Sequence, residues 1–537
     1  MARILFTGGG VFDGHRHLAD AAVLVEGDRI VAVGDLDREA VAGAEVVDLA
    51  GGMVAPGFVD AHVHTVQGGL ERTRCDLSGL DTREQYVARV AAYAADHPEQ
   101  EWILGGGWAM AAFPGGTPTA TDLDAVAAGR PVFLPNRDHH GAWVSSHALE
   151  LAGIDRDTPD PADGRIERDA AGRPTGTLHE GAMGLVGRLT PATSEAEYDA
   201  ALLAGQSHLH ALGVTGWQDA IVGAYAGMDD PGPTYRRAAE RGLLSGWVVG
   251  ALWWDRERGL EQVADLVERR ADYSHGRFRA TSVKIMQDGV AENFTAAMSA
   301  PYLDRCGHPT DNRGHSFVPG ATLREAVPAL AEAGFQVHVH AIGDRGAREA
   351  LDAFAAAPSG TDLRHHVAHL QVVDPADVPR FAELGVAANI QALWACYDDQ
   401  MVDLTLPFLG EERSSWQYPF GALHRAGVAL AMGSDWPVTS PDPLAAIHTA
   451  VNRTAYGEGG RVGTEPFLPE QALDLTTAFA AYTSGSAWVN HRDDAGVLER
   501  GAVADLVVFD RDPFVGPAAE IGATRVVSTW VDGAPVS

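Results

Sequence analysis

His62 and His64 close the run Pro56-Gly57-Phe58-Val59-Asp60-Ala61-His62-Val63-His64. In an extended strand side chains repeat every two residues, so the two imidazoles share a face. At a strand end such a pair can chelate one divalent cation. An isolated pair means little, but other ligand-type residues end later apolar runs. In Gln336-Val337-His338-Val339-His340-Ala341, both histidines share a face, and His340 lies nearer the C-terminal end, where barrel enzymes hold their chemistry. His340 is therefore the expected ligand and His338 a packed or supporting histidine. In His365-His366-Val367-Ala368-His369-Leu370 the same depth argument selects His369 and leaves His365 and His366 where the strand begins.

Asp435, in Ala431-Met432-Gly433-Ser434-Asp435-Trp436-Pro437, follows a further apolar run. A carboxylate there can bind metal, take a proton from an activated water and pass it to a leaving amine. The competing role is to cap the next turn; three histidine-bearing strand ends upstream favour catalysis. Lys284 lies inside Ser282-Val283-Lys284-Ile285-Met286, and a charged lysine is costly to bury. Two explanations stand. One is carbamylation, in which the neutral amine reacts with CO2 to give an anion that can bridge metal ions. The other is an ordinary ion pair with a carboxylate such as Asp288.

Residues of this kind must be carried by a repeated scaffold. Short apolar runs at 57–64, 214–219, 244–252, 282–286, 336–341, 366–370, 386–391 and 428–434 read as eight strands. Amphipathic stretches such as 323–333 and 375–384 separate most of them, which predicts βαβ units closing into a (β/α)8 TIM-like barrel. The interval between Gln67 and Tyr198 is too long for one connection. Rich in Gly and Pro, it reads as an insertion after barrel strand 1 that covers the barrel mouth. Strand-like runs at 4–6, 22–25, 29–33 and 46–49 have counterparts at 496–498, 505–510 and 525–531, so both chain ends are expected to form one small β-sandwich. The expected division is 1–58 with 488–537 for the β domain and 59–487 for the catalytic barrel, including the insertion at 71–200.

Length and composition narrow the function. A chain of 537 residues, 46% hydrophobic, can bury a large core without disulfide or metal staples. Only Cys75, Cys306 and Cys396 occur, too dispersed for a disulfide framework or zinc finger. The net charge of −33 repels phosphate backbones and anionic lipid, which argues against nucleic-acid and membrane-surface roles. No apolar run reaches 18 residues and the first residues lack a signal-peptide pattern, so a cytoplasmic location is expected.

The order HxH, Lys, His, His, Asp along the chain resembles the amidohydrolase superfamily, where these residues sit on barrel strands one, four, five, six and eight. The resemblance spans essentially the whole chain, including both β-rich ends. It is closest to the type 3 branch, which includes N-substituted formamide deformylases. Pro131-Val132-Phe133-Leu134 with His140 and Trp143, Pro174-Thr175-Gly176-Thr177-Leu178 before Glu180, Val283-Lys284 with Asp288-Gly289, and His340-Ala341-Ile342-Gly343-Asp344 carry it. The resemblance implies His62, His64, Lys284 (as a carbamate), His340, His369 and Asp435 as ligands for one or two divalent ions, with zinc expected. It makes Asp435 the proton shuttle.

Trp108, His140, Glu180, Asp288 and Gln391 are the side chains expected to meet substrate. Two departures bear on that pocket: Gly107-Trp108-Ala109 where the branch commonly has Gly-Trp-Asp, and Asp138-His139-His140 where it has Asp-Gly-His. The implied activity is metal-dependent hydrolysis of a C–N bond, in a linear amide or N-substituted formamide. A cyclic amide or ester hydrolase, a heterocycle deaminase, and a metal-binding scaffold without turnover are the alternatives. The expected partner is a small-molecule substrate, and a homodimer is compatible with the sequence.

Overall fold

A computed structural model describes residues 2–37, 39, 41–225, 228–456 and 465–537. Its centre is an eight-stranded parallel sheet whose strands are neighbours in chain order. Barrel strands 1 to 8 are Phe58–Val63, Val214–Val222, Trp247–Trp253, Phe278–Met286, Gln336–Ala341, His366–His369, Ala387–Ile390 and Leu430–Met432. Strands 1, 5, 6 and 7 are buried at every residue, as expected when a parallel sheet is covered on both faces. All eight runs expected from the sequence are strands. Strand 4 begins four residues before its expected start because the exposed Arg279 interrupts the apolar run. Strand 8 is shorter than expected because the chain after Met432 turns onto strand 1. There the Asp435 amide donates to the His62 carbonyl at 2.7 Å, and the His64 amide to the Trp436 carbonyl at 2.8 Å. A Cβ on Gly433 would lie 2.5 Å from the His62 nitrogen, so this seam requires glycine.

The helices that wrap the barrel follow the expected periodicity. In Gly320–Glu332 the buried positions are Leu323, Ala326, Val327, Leu330 and Ala331, one stripe with i, i+3, i+4, i+7, i+8 spacing. The expected helix at 375–384 is Val378–Leu384, with Pro379 in its first turn, where a missing N–H costs nothing.

Both chain ends meet in a second sheet. Leu506–Phe509 pairs antiparallel with Met53–Pro56, placing the C-terminal strands beside the N-terminal ones. Arg3–Phe12 changes partner along its length: Ile4–Thr7 pair with Glu45–Asp48, and Gly10 and Val11 with Met53 and Val54. Phe6, Val23, Val25, Ile30, Val54, Leu506 and Val508 form the core of this region. The run at 496–498, expected as a strand, is a turn segment in which Gly496 has φ +72°.

The interval after strand 1 is more ordered than its Gly and Pro content suggests. It carries a six-stranded sheet, in the spatial order Gly164–Arg168, Pro174–Glu180, Gly141–Val144, Val132–Pro135, Ile103–Gly106, Cys75–Asp76. Trp108 belongs to the core beneath this sheet. It is fully buried, donates Nε1–H to the Leu134 carbonyl at 2.8 Å, and packs edge-on against Phe113 and Trp143. This corrects its expected role: Trp108 holds the insertion together and does not line the barrel cavity. Among the described residues no helix is long and apolar enough to cross a membrane.

Candidate metal centre

The C-terminal ends of the barrel strands bring His62, His64, Lys284, His340, His369 and Asp435 into one buried cluster, none more than 7% exposed. Asp435 Oδ1 lies 3.1 Å from His62 Nε2 and 2.9 Å from His64 Nε2, and its Oδ2 lies 3.9 Å from His369 Nδ1. Lys284 Nζ is 3.4 Å from His62 Nε2. The rings of His340 and His369 are 4.4 Å apart, and His369 stacks on Trp394 at 5.2 Å. Asp435 and His369 both have positive φ, +57° and +78°, so the surrounding structure holds strained backbone where the side chains converge.

A ladder of buried side chains below the cluster fixes which nitrogen of His62 faces it. Gln336 Nε2 donates to the Arg364 and Val489 carbonyls, so its Oε1 accepts from Gln218 Nε2 at 3.0 Å. Gln218 Nε2 also donates to Asn490 Oδ1, which leaves Gln218 Oε1 to accept from His338 Nδ1 at 2.6 Å. Burial keeps His338 neutral, so its bare Nε2 accepts from His62 Nδ1 at 3.0 Å. His62 therefore presents a lone pair on Nε2 toward the carboxylate of Asp435. His338, expected as a packed or supporting histidine, sits directly beneath His62.

Two acceptors facing each other in a buried site call for a cation between them. Burial, then the Lys284 charge, pushes His62 down to about 3, and burial holds His340 and His369 well below the usual range. Burial alone would raise Asp435, but the neighbouring imidazoles outweigh it and keep the carboxylate ionised. Neutral imidazoles, an ionised carboxylate and an unpartnered, buried His369 Nδ1 make a donor set that fits a divalent ion. Lys284, pushed down to about 8 by burial, is not paired with Asp288. That carboxylate is fully buried and accepts the backbone N–H groups of Ala297, Ile342 and Gly343.

Of the five side chains expected to meet substrate, only His140 lines the cavity. Glu180 lies behind it, 3.0 Å from His140 Nδ1, and accepts the Thr295 hydroxyl at 2.7 Å. Asp288 is a clamp for the loops after strands 4 and 5. Gln391 accepts the His369 amide at 2.7 Å and so positions a cluster histidine. These are corrections with one cause: each side chain finds a closer polar partner than the cavity offers. Sequence reasoning missed His139 as a lining residue. Its φ is +62°, its Nδ1 is 2.7 Å from Gln67 Nε2, and its Nε2 is 3.1 Å from Glu71 Oε1. The only signal was a histidine at the middle position of Asp138-His139-His140, where the resembled branch has glycine.

Burial would lower His140, but the Glu180 carboxylate dominates and raises it to about 9. A protonated imidazole is thereby held at the cavity wall with Nε2–H free to donate. Glu180→Gln removes that carboxylate and leaves burial as the main influence, so His140 should lose its proton at or below the ordinary imidazole range. The expected result is an alkaline limb of kcat/KM that moves down from about pH 9 toward neutrality. An unchanged limb would show that the His140 proton takes no part.

The cavity over the cluster measures about 50 Å³. It adjoins a second chamber of about 90 Å³, with which it shares Asp138, Val290, Trp394 and Val438; Arg137, Glu292, Asp398 and Tyr418 line the latter. Comparisons with known proteins agree with this architecture. The profile of a family described as "Amidohydrolase family" matches residues 45–537. The YtcJ protein of Bacillus subtilis (strain 168) is 30% identical over 494 residues, covering 91% of this chain and 90% of YtcJ. N-substituted formamide deformylase of Arthrobacter pascens is 28% identical over 544 residues, covering 96% and 95%. The crystal structure of an uncharacterised metal-dependent hydrolase from Pyrococcus furiosus superposes with a TM-score of 0.70 at 26% identity, covering 95% of this chain and 100% of that one.

Proposed function

The chain belongs to the amidohydrolase family and is a metal-dependent hydrolase, and from that premise we propose that it cleaves the C–N bond of an N-substituted formamide or another short linear amide. The observation that carries this reading is the small cavity over the cluster, adjoining a larger chamber of mixed polar and apolar lining in which Trp394 and Tyr418 are the aromatic walls. A formyl or short acyl carbonyl fits the first space and the nitrogen substituent the second. The relative named as a formamide deformylase supports the same class.

His62, His64, His340, His369 and Asp435 would hold the divalent ion or ions, with zinc favoured by the imidazole-rich set, and Lys284 would join them as its carbamate. When bound, such an ion polarises the carbonyl and makes water acidic enough to attack near neutral pH. Asp435 takes the proton of the attacking water, because its carboxylate is ionised and lies between His62 and His64. The same group then returns the proton to the departing nitrogen. His140, held protonated by Glu180, donates to the carbonyl oxygen as charge develops there. Trp394, Val290 and Val438 give the junction between the two chambers an apolar side, opposite the carboxylate-bearing Asp138.

The test is a hydrolysis panel on metal-loaded enzyme comprising N-benzylformamide, N-benzylacetamide, N-benzylbenzamide and a cyclic amide. The formamide should turn over fastest and the benzamide slowest. Faster cleavage of the cyclic amide, with the formamide untouched, would overturn the assignment.

A further inference from the structure

We infer that His139 limits the size of the acyl group the enzyme accepts, by walling the small cavity over the cluster. The inference rests on the reading above, in which the acyl carbonyl takes that cavity and the nitrogen substituent takes the second chamber. His139 lines the cavity of about 50 Å³ and not the chamber of about 90 Å³, although its neighbours Arg137 and Asp138 line the chamber. Its bulk therefore bears on the acyl end of a substrate.

The wall is held from both sides. On one side is the turn that joins Val132–Pro135 to Gly141–Val144 in the insertion. There the Asn136 amide donates to the Gly141 carbonyl at 2.8 Å, the Gly141 amide to Asn136 Oδ1 at 2.9 Å, and the His139 amide to the Asn136 carbonyl at 3.1 Å. On the other side is the helix Thr65–Thr73, which follows barrel strand 1. Its buried Gln67 and Glu71, four residues apart and so on one face, meet the two ring nitrogens at 2.7 and 3.1 Å. With both nitrogens turned to that helix, the ring offers the cavity bulk and no hydrogen bond. A larger acyl group could enter only by pushing the ring aside, which would strand two buried polar side chains. The φ of +62° is one that glycine adopts freely, so the backbone here does not require histidine.

The test compares metal-loaded wild type, His139→Gly and His139→Asn in two readouts. The first is the ratio of kcat/KM for N-benzylbenzamide to that for N-benzylformamide. The second is the affinity for formohydroxamate, acetohydroxamate and benzohydroxamate, which chelate the ion and carry the same range of acyl groups without being cleaved. Glycine removes the ring; asparagine also tolerates a positive φ and removes part of the bulk. In His139→Gly the rate ratio, and the affinity for benzohydroxamate relative to formohydroxamate, should each rise at least about tenfold, with asparagine between. Unchanged relative affinities in variants that hold metal and melt like wild type would overturn the inference. So would an equal gain for all three hydroxamates, which would make His139 a barrier to entry and not a limit on acyl size. If wild type cleaves no linear amide, the proposed function fails, and the hydroxamate series alone decides the role of His139.

Discussion

Replacing Asp435 by asparagine is expected to lower kcat by about 10²–10⁴-fold while the protein still binds metal. Asparagine has the same shape and tolerates the φ of +57° found here, so the backbone turn onto strand 1 should survive. The amide cannot take up a proton at neutral pH. Transfer from the attacking water, and its return to the leaving nitrogen, would both fail. Metal is retained because His62, His64 and His369 stay in place. Rates and metal content measured on one preparation decide the matter: near-normal turnover in Asp435→Asn would remove the proton shuttle from the account.

Lys284→Ala should be nearly as damaging, with at least a 100-fold loss of turnover and loss of bound metal. The amine is buried and 3.4 Å from His62 Nε2, and burial pushes it down to about 8, so a reactive neutral fraction exists near physiological pH. Asp288 offers the amine no ion pair, since its carboxylate is occupied by three backbone N–H groups. If Lys284 acts as a carbamate, the alanine variant lacks one anionic ligand and has room for a small substitute. Added propionate should then restore part of both the metal and the rate. Full metal content and full activity in Lys284→Ala would exclude the lysine from the centre.

Much of this arrangement was legible because the barrel strands are continuous apolar runs ending in ligand-type residues. His62, His340, His369 and Asp435 could be ranked by depth along a strand, and the structure places them in one cluster. The insertion was harder to read. Its strands are as short as Cys75–Asp76 and Ile103–Gly106, and Gly and Pro hide their alternation. Trp108 shows the limit of reading an aromatic beside a motif, since proximity in sequence does not separate core from cavity. Gln391 and Asp288 fail for another reason: what they bind is set by loops that no periodicity predicts. The ladder beneath His62 is less visible still, because Gln218, the pair Gln336 and His338, and Asn490 come from three places in the chain and meet only in the folded barrel. The strong acidity of the chain finds no role in the site.

The barrel mouth is where the catalytic ion is expected. Among the described residues one other group has ligand-type atoms close together, the exposed turn of Asp304, Cys306 and His308. Anomalous diffraction at the zinc edge from crystals of zinc-loaded protein separates the two. The expected result is a peak enclosed by His62, His64, Lys284, His340, His369 and Asp435. A peak at the Asp304 turn alone, in protein that hydrolyses amides, would contradict it.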